Sequence, residues 1–253
     1  MTNFAFRRIV LAAVAAPLAL GLAACSKDKG GEGAQANGEA IAKVAPPAGK
    51  TWSDVVSVTP EGGYVMGNPN APIKLVEYGS LTCPHCAEFT EKSSADLRDT
   101  FVASGRVSFE FRNFVRDAID LTAAQLTQCG APESFFALTE QAFANQKAMF
   151  EKAQAAGQPA YEAAMNQPEG KRAMALAELT GLVDFFSARG ISKDQAATCL
   201  ANTAKAQKLA KDTQDQGNEL DITGTPTFIV NGAKFEGNTW EELKAHLETL
   251  GAR

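Results

Sequence analysis

The chain has 253 residues, 45% of them hydrophobic, with 24 Lys and Arg against 29 Asp and Glu for a formal charge of −5. That length buries a sizeable core as one large domain or two small ones, and the acidic balance lacks the basic surface that a nucleic-acid partner requires. Cysteines number five and histidines two, so where they fall is informative.

Residues 1–25 read as an export signal, because "MTNFAFRR" places two arginines before the apolar run "IVLAAVAAPLALGLAA", which ends at Cys25. The run, about 16 residues, is short of the roughly 20 that span a bilayer as a helix, so cleavage is expected rather than a membrane stop. The segment "LAAC" resembles the bacterial lipoprotein box, whose cysteine is lipidated and becomes the new N-terminus. Several acyl chains on Cys25 would hold the protein to a membrane by a lipid anchor only. Without residues 1–24 the charge is −7, from 22 basic and 29 acidic side chains. Residues 26–50 carry Gly, Ala, Lys and Glu without apolar periodicity and read as a flexible linker reaching on the order of 25 to 30 Å.

From residue 51 the pattern is that of a folded body. "APIKLVEYGS" predicts a strand with Ile73, Leu75 and Glu77 on one face and Val76 and Tyr78 on the other. A helix follows from Pro84 toward Gly105, with Phe89, Leu97 and Phe101 on its apolar side, and Pro84 suits a first turn where its missing N–H costs no bond. "RVSFEFRNFV" alternates Val107, Phe109 and Phe111 against polar residues and predicts a second strand, joined to the first by a right-handed parallel crossover. Residues 117–217 turn to Ala, Gln, Glu, Lys and Leu and read as four to six helices, broken at "CGAPES", "AGQPA", "NQPEG" and "SARGISKDQ". Then Thr227 to Val230, Asn231-Gly232 and Lys234-Phe235 predict a β-hairpin, and Thr239 with Glu242 a capping box opening a last helix over Leu243, Leu247 and Leu250. The expected fold class is α/β: residues 51–116 and 218–253 form one sheet domain, and 117–217 interrupt it as a helical insertion.

The chemistry concentrates in "CPHC", residues 83–86. Cys83 falls at a strand-to-helix junction, where free backbone N–H groups and the helix dipole favour a thiolate, and the imidazole of His85 stands within one turn. A low-pKa thiolate is a good leaving group, and Cys86, three residues on, can close or resolve a disulfide with it. A zinc site would need a second close pair, whereas Cys129, Cys199 and His246 are scattered singly, so no metal and no cofactor is expected. In an oxidising compartment the four cysteines beyond Cys25 pair most simply as Cys83 with Cys86 and Cys129 with Cys199. For the latter pair a structural disulfide joining two helices is expected, against buried free thiols or a second redox pair; closing that loop would stabilise by roughly 4 kcal/mol. His246 reads as a surface or half-buried side chain.

"CPHC" after "VEYGSLT", a late "GTPTF" and a helical insertion between them together resemble the DsbA-type thiol:disulfide oxidoreductases of the thioredoxin superfamily, over roughly Gly63 to Leu250. The resemblance implies a thioredoxin fold with a large helical insertion. It implies Cys83 as the exposed nucleophile, Pro84 and His85 as the dipeptide that sets its potential, and Cys86 as the buried resolving thiol. Pro226 matches the family's cis-proline, which would turn the backbone of Thr225 toward the cysteines to meet a substrate strand. Glu77 matches a buried acid that could relay the Cys86 proton, against the alternative of a strand-end glutamate in water. The function so implied is donation of the Cys83–Cys86 disulfide to unfolded or extended exported client proteins, in the periplasm, with reoxidation by a quinone-linked membrane partner. Two alternatives stand beside it. Thr225, where strong oxidases of the family carry valine, is compatible with a reductase or isomerase, and a lipoprotein that binds without turnover would use the same fold.

Overall fold

The computed structural model describes residues 38–253, so the expected signal segment and Cys25 lie outside the described residues. Six strands form one mixed sheet in the order β1-β2-β4-β3-β5-β6. At its centre β3 (Ile73–Gly79) and β4 (Val107–Asn113) run parallel, registered from Ile73 opposite Val107 to Gly79 opposite Asn113. The crossover between them is α1 (Pro84–Asp96) with a wider helical extension over Leu97–Val102, and Gly105 at φ +72° reverses the chain into β4. β5 (Thr227–Val230) lies antiparallel against β3, and β6 (Ala233–Phe235) against β5 through Asn231 and Gly232, both at positive φ. Before these strands in the chain come β1 (Val56–Val58) and β2 (Tyr64–Gly67), a hairpin the sequence pattern left unassigned, which adds antiparallel to β4.

The insertion holds seven helices among the described residues: α2 (Ala118–Thr127), α3 (Phe135–Ala144), α4 (Gln146–Met165), α5 (Glu169–Leu179), α6 (Leu182–Ser187), α7 (Lys193–Leu200) and α8 (Thr203–Glu219). The four expected breaks are present, that at "AGQPA" as a bend within α4 where Gly157 takes φ +79° ahead of Pro159. The count exceeds the expected four to six because further joints need few residues. Gly181, at φ +72°, separates α5 from α6, and Asn202 caps α8 by accepting from Lys205 N at 3.0 Å. The final helix, α9 (Trp240–Thr249), carries the capping box of Thr239 and Glu242.

The sheet face that bears Leu75, Glu77, Phe109, Phe111 and Phe228 is covered from two sides. Phe89 of α1 meets Phe228 with ring centroids 4.5 Å apart, and Trp240 of α9 meets Phe101 at 5.6 Å. Phe135, Phe136 and Phe143 of α3 close on Phe109 and Phe111 at 5.6 to 6.0 Å. Each buried ring contributes about 1.5 to 3 kcal/mol by leaving water, which fixes the insertion onto the sheet.

The linker expected over residues 26–50 needs one correction. From Gly38 the backbone is docked, with Gly38 N to Thr249 O, Ile41 N to Gly251 O and Val44 N to Ser104 O at 2.9 to 3.0 Å. Trp52 Nε1 donates to Val44 O at 2.7 Å, and the Arg253 guanidinium to Gly38 O at 2.6 Å. A stretch without apolar periodicity can still be ordered by backbone bonds to groups that helix ends leave open.

Candidate active site

β3 ends at Gly79 and the chain turns through Ser80, Leu81 and Thr82, closed by Cys83 N donating to Ser80 O at 3.0 Å. Cys83 is then the N-cap of α1, in extended conformation, with Pro84 at the first helical position. This places the Cys83 sulfur over the open N–H groups of the first turn, where negative charge is stabilised. Cys83 and Cys86 are unbonded thiols here. The Cys83 pKa is lowered to about 4, chiefly by its hydrogen bond with Cys86, with further help from Thr225 and the backbone N–H groups of Cys86 and His85. Cys86, wholly buried, is pushed far up, first by burial, then by its bond to Cys83 and the nearby charge of Glu77.

The two-residue spacer thus gives two sulfurs of opposite character. His85 adds its backbone N–H to the thiolate while its side chain and that of Pro84 face solvent. Cys83 itself is not exposed as expected. It is 3% accessible, because the loop before β5 lies on it: the Thr225–Pro226 peptide bond is cis, and Cys83 Sγ donates to Thr225 O at 3.2 Å. In that thiol form the Thr225 hydroxyl has no partner among the described residues, and on ionisation the sulfur becomes the acceptor it can serve.

Glu77 lies beneath the pair, 2% accessible, opposite Phe111 on β4 and Phe228 on β5. It does not face water. Its pKa is raised to about 8, first by burial and then by the charge of Cys83, and its Oε1 has no hydrogen-bond partner among the described residues. A cavity of about 30 Å³, lined among others by Glu77, Ser93 and Thr139, adjoins it and is large enough for a water molecule.

Structure adds residues that sequence reasoning missed. The Ser80–Cys83 turn is held from the insertion: Asp120 accepts from Ser80 Oγ at 2.6 Å and Leu81 N at 2.8 Å, and Asp117 from Thr82 Oγ1 at 2.7 Å. Gln146 Nε2 donates to Leu81 O at 2.9 Å and Cys83 O at 3.1 Å. Nothing local flags Asp120 or Gln146, since each meets the turn across about 40 or more residues of sequence. The remaining sequence-singled cysteines sit elsewhere: Cys129, after α2, is bonded to Cys199 in the last turn of α7, Cα atoms 5.8 Å apart. His246 is half-buried on α9 with its ring 5.0 Å from that of Phe235, away from the couple.

A Cys-x-x-Cys at a strand-to-helix junction, a proline loop laid over the first sulfur and a buried acid below the second define the thioredoxin-like class. The family model described as Thioredoxin matches residues 59–249, and the chain belongs to that family. The crystal structure of a protein-disulfide isomerase from Novosphingobium aromaticivorans is similar at a TM-score of 0.69 and 34% identity, over 73% of this chain and 95% of that one. Alpha-DsbA1 of Wolbachia pipientis, 22% identical with a TM-score of 0.59 over 74% of this chain and 89% of its own, shares the fold, helical insertion included. Disulfide bond formation protein D of Bacillus subtilis is 25% identical over 78% of this chain and 81% of its own. A curated relative from Rickettsia bellii is 24% identical over 188 residues, and the chain spans 64% of its length.

Proposed function

We propose that the chain is a thiol:disulfide interchange protein that donates the Cys83–Cys86 disulfide to exported client proteins. The observation that carries this reading is the division of the two thiols, with Cys83 held at about 4 and Cys86 pushed far up. A couple whose reduced form contains a stabilised thiolate is readily reduced and so oxidises other thiols. A client thiolate attacks Cys83 Sγ, and the electron pair of the broken S–S bond leaves on Cys86. That sulfur, buried and intolerant of charge, takes a proton, and Glu77, protonated at neutral pH with its pKa near 8, is placed to supply it. A second client thiolate then attacks the client sulfur of the mixed disulfide and expels Cys83 as the stabilised thiolate. The client leaves oxidised, and the protein retains two electrons and the proton on Cys86.

Reoxidation falls to a membrane partner carrying a quinone-linked disulfide, and an acyl anchor on Cys25 would hold the chain to a bacterial membrane, facing the periplasm. The arginine-led apolar segment and "LAAC" support that placement. The clients are unfolded or extended segments whose backbone pairs beside Thr225, displacing the contact that Thr225 O makes with Cys83.

A second reading, a reductase or isomerase, is favoured by one observation: the Thr225 hydroxyl beside the sulfur, where it can alter how long a mixed disulfide persists. The test is the Cys83–Cys86 potential in equilibrium with glutathione, with Cys129 and Cys199 followed separately by mass. A value near about −120 mV supports donation, and one near about −270 mV supports the second reading.

A further inference from the structure

The turn from Ser80 to Cys83 belongs to the thioredoxin-like part of the chain, yet most of its polar contacts outside the turn come from the insertion. Asp120 is 1% accessible and accepts three bonds, from Ser80 Oγ, Leu81 N and Arg116 N. A carboxylate buried to this degree is a poor device for stability alone, because desolvation offsets much of what its bonds return. Its geometry is selective instead: it fixes the two residues at the start of the turn. Gln146, also buried, fixes the other end. It donates to Cys83 O, the same carbonyl that accepts from Ala87 N in the first helical bond of α1. The insertion therefore grips both the entry to the turn and the carbonyl that starts the helix.

Both sulfurs depend on what is gripped. The backbone N–H groups of Cys86 and His85, in the first turn of α1, lower the pKa of Cys83, and the backbone of Ser80 acts in the same direction on Cys86. A tilt of the turn moves these donors relative to both thiols at once.

We infer that Asp120 and Gln146 are positioning residues of the redox couple, through which the helical insertion sets the balance between the Cys83–Cys86 dithiol and its disulfide. This rests on the reading that the couple exchanges disulfides. Loosening either grip misaligns the donors that stabilise the Cys83 thiolate, so the reduced form loses stability and the disulfide gains.

The test compares Asp120→Asn and Gln146→Leu with Thr180→Val, a variant that removes a buried hydroxyl of the insertion bonded only within it, to Leu176 O and Ala177 O. Two readouts are made in the purified protein: titration of the Cys83 thiolate by its absorbance at about 240 nm, and the equilibrium in which two glutathione thiols become one glutathione disulfide as the protein disulfide becomes a dithiol. Asp120→Asn and Gln146→Leu should raise the thiolate midpoint and shift that equilibrium about tenfold toward the protein disulfide, roughly 30 mV for a two-electron couple. Thr180→Val should lower the Tm and leave both readouts unchanged. Variants of Asp120 and Gln146 that lose Tm but keep the wild-type titration and equilibrium would overturn the inference. Should Asp120→Asn not fold, Ser80→Ala, which deletes one of its donors, must shift both readouts in the same direction or the inference fails. Wild-type protein that does not exchange with glutathione defeats the functional reading and this inference together, whereas normal wild-type exchange with unshifted variants defeats this inference alone.

Discussion

Cys129 and Cys199 close a bond across 70 residues of sequence, while Cys83 and Cys86 stand three residues apart as thiols. Position on the helices separates the pairs. Cys83 caps the N-terminus of α1, where open N–H groups welcome a thiolate, whereas Cys129 follows the C-terminal end of α2 and Cys199 sits in the last turn of α7. The latter sulfurs lie near carbonyls, Gln195 O at 3.5 Å and Cys129 O at 3.8 Å; Cys83 also meets one, Thr225 O at 3.2 Å, but with the open N–H groups of α1 beside it. The helix pole at which a cysteine stands thus separates the couple of free thiols from the bonded pair.

Removing the exchanging sulfur tests this contrast most severely. Cys83→Ser should abolish oxidation of a reduced client protein, followed by its refolding, while Cys86→Ser, its Cys83 first joined to glutathione by exchange with glutathione disulfide, should pass Cys83 to a client thiolate with release of glutathione and hold the client as a mixed disulfide visible by mass. A Cys83→Ser variant that leaves the cellular phenotype intact would favour the reading of a lipoprotein that binds without turnover, and loss of activity in that variant excludes it. Next in size is replacement of Cys129 and Cys199 by Ala together, which should cost roughly 4 kcal/mol in denaturant unfolding on the loop-entropy account and leave the Cys83–Cys86 equilibrium with glutathione unchanged. A shifted equilibrium would join the two pairs into one redox system.

Glu77→Gln should slow exchange about 100-fold near neutral pH, the lower end for loss of a proton donor. Its stability signature has a definite sign. The carboxyl of Glu77 titrates at about 8 in the fold against an ordinary 4.5, so its contribution is complete below pH 4.5 and disappears as pH rises through 8. The Gln variant should lack that decline in urea midpoints. Cys83 runs oppositely: lowered from 9 to about 4, it stabilises the reduced form above pH 9 and loses this as pH falls through 4. The gap in Tm between reduced and oxidised protein should accordingly narrow on acidification, and a constant gap would remove the thiolate from the argument. Smallest is Thr239→Ala, which deletes the cap accepting from Glu242 N at 3.3 Å and should cost about 1 kcal/mol with no effect on the glutathione equilibrium.

What could be read from sequence follows from the range of the forces involved. The alternation in β3 and β4, Asn231-Gly232 and the Thr239–Glu242 box are all written within a few residues, and the structure has each in place. β1 escaped because three residues give too short a period, and β2, though Tyr64 and Met66 alternate with Val65, follows Gly62-Gly63 and gains strand character from its partner β4. The joint at Gly181 was invisible for a related reason, being a single residue inside an otherwise helical composition. At the site, the Cys83 environment was legible as far as the helix N-terminus reaches. Its burial was not, because the covering carbonyl of Thr225 arrives from 142 residues away, and the grip of Asp120 on the turn is equally nonlocal.

The docked stretch from Gly38 to Val44 gives the molecule a direction. It lies against Ser104, Thr249 and Gly251, beyond the far end of the helical run that starts at Pro84 and continues through Val102. At about 1.5 Å per residue, that run separates the docking point from the redox couple by on the order of 25 Å. Within the described residues, Gly38 to Val44 is therefore held at the end of this helical run opposite the two sulfurs, and a pull on that stretch would load Ser104, Thr249 and Gly251 before it reached the couple.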